Sequence, residues 1–408
     1  MATIESSLAY RGWGVIFTCF LFALASWGFG FYGHGIFLLE LQKAHGWSAT
    51  LTSSASTAYY FVSAILVIYV NSAIAATGPK AVALVGIICM LASAMVVPWV
   101  IEPWQLFLVY MVMAIGWAAT TIAAISNTPS LWFWECLGPA VSLALNGASA
   151  GGIIVLPLLV YPTAKFGFAS AMVMSTLFAA FILLPAVLYW LGELNPTPAN
   201  KNGIDAIDDE IALTRGQALG TFSFWTVAGP FALILLVQVG FLVHQLVLLE
   251  VRVGREQAGY IIAVTTGMAV LGRVAIGFVI DSLNHRIVAS VSMLSQALAL
   301  AIIAFTNDNV ILVFACALFG ASVGNMITFP TLIIRKEFGL VDFGMLAGLA
   351  MAIGQITCAF GPIMFGVLRD FHGDYRSPLL ICTVLQIVAG IVVLLRGKER
   401  GSDVMPRV

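Results

Sequence analysis

EQAGYIIAVTTGMAVLGRVAIGFVIDSLNHR, residues Glu256 to Arg286, is an apolar run of about twenty-four residues, long enough to cross a bilayer, and it carries one arginine, Arg273, in its inner half. A cation at that depth costs at least ~2.5–3.5 kcal/mol, so it normally faces a cavity or a partner. Its planar guanidinium grips a carboxylate through two parallel hydrogen bonds, which points to an organic anion. The alternative is a structural arginine bonded to helix carbonyls or to a carboxylate elsewhere in the fold. No convincing mid-membrane Asp or Glu is visible in the sequence to serve as that carboxylate.

The rest of the 408-residue chain has the same character. It is 61% hydrophobic and 9% charged, with a mean hydropathy of +1.02, where a soluble domain carries about 25% charged residues. A polytopic membrane protein follows. The net charge of −1 suggests no nucleic-acid partner. Six cysteines (Cys19, Cys89, Cys136, Cys316, Cys358 and Cys382) lie in or beside apolar segments without metal-ligand spacing, and read as free thiols; no metal site and no cofactor are expected. The first hydrophobic run is too long for a signal-peptide core, so no cleavage is expected.

About twelve apolar segments can be counted, at 13–39, 49–73, 79–99, 105–128, 137–162, 168–191, 222–250, 257–280, 286–305, 309–334, 343–368 and 377–396. The long polar break at 192–221 contains the acidic run from Asp205 to Glu210 and divides them six and six. The expected organisation is an N-terminal bundle over 1–191, a cytoplasmic linker over 192–221 and a C-terminal bundle with a short tail over 222–408. With the N-terminus inside, eleven Lys and Arg lie on the cytoplasmic side against six outside (Lys43, Lys165, Arg252, Arg255, Arg369 and Arg376), Arg273 completing the eighteen. The positive-inside rule therefore puts both termini in the cytoplasm.

The halves repeat each other. Gly30-Phe31-x-x-His34-x-x-x-Leu38-Leu39-Glu40 returns as Gly240-Phe241-x-x-His244-x-x-x-Leu248-Leu249-Glu250. Such duplication marks transporters whose halves rock around a central site. Gly28-x-Gly30-x-x-Gly33 spells a dinucleotide fingerprint, but it follows no strand. In an apolar helix those glycines permit close helix contact or a break. No hydrolase, metalloprotease or phosphate-loop motif accompanies it, and no enzymatic activity is expected.

Gly277-Phe-Val-Ile-Asp281-Ser-Leu-Asn-His-Arg286 resembles the G-x-x-x-D-R-x-G-R-R loop of the major facilitator superfamily. The equivalent first-half loop, Asn71 to Lys80, lacks both the Asp and the Arg that follows it. Trp132-Phe133, Gly147, Gly151-Gly152 and Pro157, with Gly361-Pro362, Arg369-Asp370 and Gly373-Asp374-Tyr375, look like the monocarboxylate-transporter and oxalate/formate-exchanger branch, and Gly46-Trp47-Ser48 fits its first loop. The resemblance covers nearly the whole chain. It implies an all-α membrane protein of twelve transmembrane helices in two pseudo-symmetric six-helix bundles, with Asp281 and Arg286 as a conformational latch and Arg273 as the carboxylate-binding arginine of span 8. The sequence departs from that branch at Ala269, where monocarboxylate carriers place an acid, and at Ala350, where oxalate exchangers place a lysine.

His34 and His244 occupy equivalent places in spans 1 and 7. They protonate with substrate, hydrogen-bond its second polar group, gate the outer mouth, or pack two helices through backbone carbonyls. Asn146, Asn325 and Gln355 line a cavity or join helices, and Tyr32 walls the pocket or packs. The function expected from all this is secondary transport of a small, monocarboxylate-like organic anion, with protons as a candidate coupling ion. Anion exchange, or efflux of an amphipathic metabolite or drug, is the alternative, and a membrane receptor on a transporter fold is the reading from another class. The expected setting is the plasma membrane, a bacterial inner membrane, where the multi-pass chain works as a monomer with the bilayer as its surroundings.

Overall fold

The structure, a computed structural model, describes residues 10–133, 136–191, 215–280, 283–326, 328–338 and 343–395. They are helical, with no strand among them. In hydrocarbon the backbone must satisfy its own hydrogen bonds, and a helix does so within one segment. Ten of the helices among the described residues are long and apolar enough to cross a membrane: α1 Gly12–His45, α2 Ala49–Thr77, α3 Pro79–Trp99, α4 Pro103–Ser130, α5 Leu137–Phe166, α6 Phe168–Trp190, α7 Phe222–Val253, α8 Arg255–Gly277, α9 His285–Phe305 and α11 Met345–His372. Two shorter apolar helices, α10 Asn309–Val323 and α12 Arg376–Val392, stand at the tenth and twelfth expected spans. Ile68, Phe181, Val291 and Val388 project exposed from the helices, as residues facing lipid would.

The repeat is visible in the packing. In the first half α1 lies on α5, α2 on α4 and α3 on α6; in the second α7 lies on α11, α8 on α10 and α9 on α12. Helix ends repeat as well. α1 and α5 stop at Gly46 (φ 65°) and Gly167 (φ 84°), and α7 and α11 at Gly254 (φ 81°) and Gly373 (φ 79°), conformations that L-residues with a Cβ adopt only at a cost.

Two helices depart from regular geometry where they cross. α1 contains a π-helical turn at Gly28–Tyr32 and α5 one at Gly151–Val155, and the two turns touch. A Cβ on Gly151 would lie 2.7 Å from the Leu24 carbonyl oxygen and 2.9 Å from the Gly28 nitrogen, so only glycine allows this crossing. The fingerprint-like glycines of α1 thus serve both a close contact and a break in regular helix.

The halves meet at the end of the molecule away from the N-terminus. There α1 packs on α7, α2 on α11 and α5 on α8. The Lys43 ammonium pairs with Glu250 at 2.7 Å, and Arg255 pairs with Glu40. Along α2, the Asp370 carboxylate accepts from the Thr50 amide and hydroxyl, both at 2.7 Å, and from the Ala49 amide at 3.3 Å. Ser53 bonds His244 at 2.9 Å, and the Thr57 hydroxyl accepts from the Ile363 amide at 3.2 Å. All of these bonds between the halves gather at this one end.

The tenth span differs from the single helix expected over 309–334. α10 stops at Val323, residues Gly324 to Met326 form a turn, and a separate helix runs Phe329–Phe338. The Asn325 carbonyl takes the amides of Thr328 and Phe329, while the Gly324 carbonyl is turned to a side chain of α8.

Candidate functional site

That side chain is Arg273. α8 and α10 run in backbone contact, because Gly272 faces the Ala321 carbonyl oxygen and Gly320 the Thr265 carbonyl oxygen. A Cβ at either glycine would overlap those oxygens, so the crossing sets how closely Arg273 approaches the broken end of α10. Arg273 is half-buried and its Nε donates to the Gly324 carbonyl at 3.0 Å. Among the described residues no carboxylate pairs with it. One backbone carbonyl therefore orients the guanidinium without neutralising it.

Tyr32 faces α8, the helix of Arg273, over a glycine of α5. It belongs to the π turn of α1, and its ring rests where Gly152 of α5 has no side chain. A Cβ there would sit 2.9 Å from the Tyr32 ring and 2.5 Å from the Thr266 methyl. Helices α1, α5, α8 and α10 thus converge on one place.

The other expected site residues are distributed more widely. Asn146 on α5 and Gln355 on α11 are exposed; the Gln355 side-chain oxygen accepts from the Cys358 thiol at 3.5 Å. Asn325, next to Gly324, is 2% exposed and its Nδ2 has no hydrogen-bond partner among the described residues. His34 is buried inside the first half, its Nδ1 3.1 Å from Ser56 and its ring 4.6 Å from that of Tyr59 and 4.8 Å from that of Tyr110. His244 is buried between the halves, with Nε2 2.9 Å from Ser53 and 3.1 Å from the Pro362 carbonyl, and Nδ1 3.0 Å from the Tyr375 hydroxyl. Arg273 and Tyr32 are brought together. The two histidines are partnered elsewhere, each with a serine of α2.

Asp281 lies outside the described residues. Arg286 is 3% exposed and fully engaged within the second half. It bonds Glu337 twice, at 2.6 and 2.7 Å, and donates to the carbonyls of Val393 and Leu395 and to Thr226. Ala269 and Ala350 are both buried.

Sequence reasoning missed the Gly324 carbonyl and Gly152. The signal for the first was present: Gly324-Asn325 followed by Pro330 inside an apolar run is a place where a helix breaks.

Residues 239–405 match the family model of the Major Facilitator Superfamily. The MFS transporter asaE of Aspergillus flavus is 25% identical over 292 residues, 69% of this chain and 61% of that protein, so the chain spans about three fifths of that relative's length. A putative anionic 4-hydroxy-benzoate permease of Thauera aromatica is 36% identical over 55 residues, 14% of this chain and 34% of that protein. Among solved structures, the nucleoside transporter NupG superposes with a TM-score of 0.72 at 12% identity, covering 94% of this chain and 98% of that one. The repeated packing of the helices, the family match over the second half and the structural match over the whole chain lead to one conclusion: this chain is built on the major facilitator fold.

Proposed function

We propose that the chain is a secondary transporter of small organic anions of the monocarboxylate kind, in which Arg273 anchors the substrate carboxylate. The observation that carries the reading is a half-buried guanidinium held through Nε by one carbonyl, with no acidic partner among the described residues. A carboxylate approaching its free edge meets two parallel N–H groups in the geometry it prefers. The similarity to a permease whose name specifies an anion supports the same substrate charge.

In this reading the two six-helix halves, residues 1–191 and 222–408 joined by 192–221, alternate access around Arg273. The chain is a plasma-membrane protein with both termini in the cytoplasm. The closed end is then the outer one, and the structure is inward-facing. Proton coupling belongs to the reading as well, through a histidine or through the substrate.

Uptake of pyruvate, lactate and benzoate into proteoliposomes tests it. Arg273→Lys keeps the charge but not the fork, and should lower uptake by about two orders of magnitude, as losing a bidentate charge-assisted contact implies. Uptake at the wild-type rate by Arg273→Ala would overturn the assignment.

A further inference from the structure

The first half presents aromatic rings where the second presents charge. Trp27, Phe31 and Tyr32 of α1 and Trp117 of α4 are all half-buried, whereas Tyr59 and Tyr110 behind them are buried at 0% and 1% exposure. Trp27 lies 5.0 Å from Trp117, Phe31 stacks on Trp117 at 6.4 Å with planes 25° apart, and Tyr32 meets Phe31 edge-on at 5.2 Å. The array runs from Trp27 to Tyr32, which faces Thr266 of α8, the helix of Arg273, over Gly152.

The π turn assembles it. In a regular α-helix Tyr32 would point about 140° away from Trp27, on a different face. A π turn takes up one more residue, so Trp27, Phe31 and Tyr32 come round to one side. Such turns weaken helix geometry and recur at functional sites.

Several neighbouring hydroxyls already donate to backbone carbonyls. Thr266 donates to the carbonyls of Ile262 and Ala263, Tyr60 to that of Gly30, and Thr120 to that of Gly116. Half-covered ring faces remain, and they favour another ring placed offset or edge-on.

We infer that the substrate is an aromatic carboxylate, its ring lodged against Phe31 and Trp117 of the first half and its carboxylate held by Arg273 of the second. The inference rests on the anion-carrier reading above and adds the ring. It makes Phe31 and Trp117 specificity-determining residues, and it divides recognition between the two halves that must move.

Binding to the purified full-length chain tests this, with labelled benzoate competed by cyclohexanecarboxylate, pyruvate and benzamide. The two ring acids are both ionised at neutral pH and similar in size, so they differ chiefly in the π face. Benzoate should outcompete cyclohexanecarboxylate by about tenfold, the ratio two aromatic contacts supply, and pyruvate by more. Phe31→Leu and Trp117→Leu should cut the benzoate preference to within about threefold, and Phe31→Tyr should retain it. Benzamide should compete poorly in every variant, and each variant should remain monodisperse. Equal competition by the two ring acids in the wild type, or a preference that survives both leucine variants, overturns the aromatic inference; loss of benzoate binding in Arg273→Lys would then keep the anion reading standing. Binding by Arg273→Ala that equals the wild type, or no binding of any of these acids, removes the anion reading and the ring with it.

Discussion

Arg273 and Arg286 stand thirteen positions apart in sequence and show the same group in two conditions. Arg286 uses its donors on Glu337, Thr226 and the carbonyls of Val393 and Leu395 just beyond α12, so it ties the ends of four helical segments together. Arg273 meets one carbonyl. Removing Arg286 leaves Glu337 and two carbonyls without that donor, and Arg286→Ala should cost about 3–5 kcal/mol. Thermal unfolding in detergent should show a large fall in Tm for Arg286→Ala and little change for Arg273→Ala, although only the second is assigned to the substrate. Position in an apolar span is enough to single out Arg273 from sequence. Arg286 reads instead through the loop motif with Asp281, five positions before it, because its partner Glu337 lies 51 residues away, a distance no local pattern spans. The histidines carry a similar lesson: duplication places His34 and His244 alike, but one bonds Ser56 of its own half and the other Ser53 across the interface. If either couples protons, uptake should rise as external pH falls, and His34→Gln with His244→Gln should flatten the rise. An unchanged profile in the double variant removes the histidines from the coupling, leaving substrate protonation or anion exchange.

Glycines set the spacing of the helices, and their effects on substitution should differ sharply along one helix. At Gly272 a Cβ would overlap the Ala321 carbonyl oxygen, while at Gly277, five residues on, nothing among the described residues lies within 4 Å. Gly272→Ala forces α8 from α10, should cost about 1–3 kcal/mol, and should weaken anion binding because Arg273 leaves the Gly324 carbonyl. Gly277→Ala should stabilise by up to about 1 kcal/mol through helix propensity alone. Denaturation of both variants, with anion binding measured alongside, checks the contrast. Apolar length and the six-and-six division make the helices legible. The π turns and the break after Val323 are not, since both depend on what each backbone meets on a neighbouring helix, and glycine alone announces only that something comes close. The GxGxxG pattern of α1 illustrates this: it marks the right place without revealing that the turn there gains a residue.

Across the whole molecule, the polar contacts that close one end are individually modest. An exposed ion pair such as Lys43–Glu250 contributes at most about 1 kcal/mol, and the less exposed Arg255–Glu40 somewhat more. Glu40→Gln with Glu250→Gln should therefore shift the population of states several-fold toward opening of that end without unfolding the protein. Distances between spin labels on the ends of α1 and α7 would show this as a growing long-distance component. Asp370→Ala should act in the same direction and more strongly, because it strips three hydrogen bonds from the start of α2 at once. The partners of the second half on α2, namely Thr50, Ser53 and Thr57, follow one another three and four residues apart, along a single face. Halves that rock apart load such a row from one end, as tape is lifted from a surface, so the bonds yield in sequence, Thr50 first and Thr57 last. The barrier to opening is then governed by the strongest single attachment instead of by the sum of all three, and a row of modest bonds can hold the closed state firmly yet release it quickly.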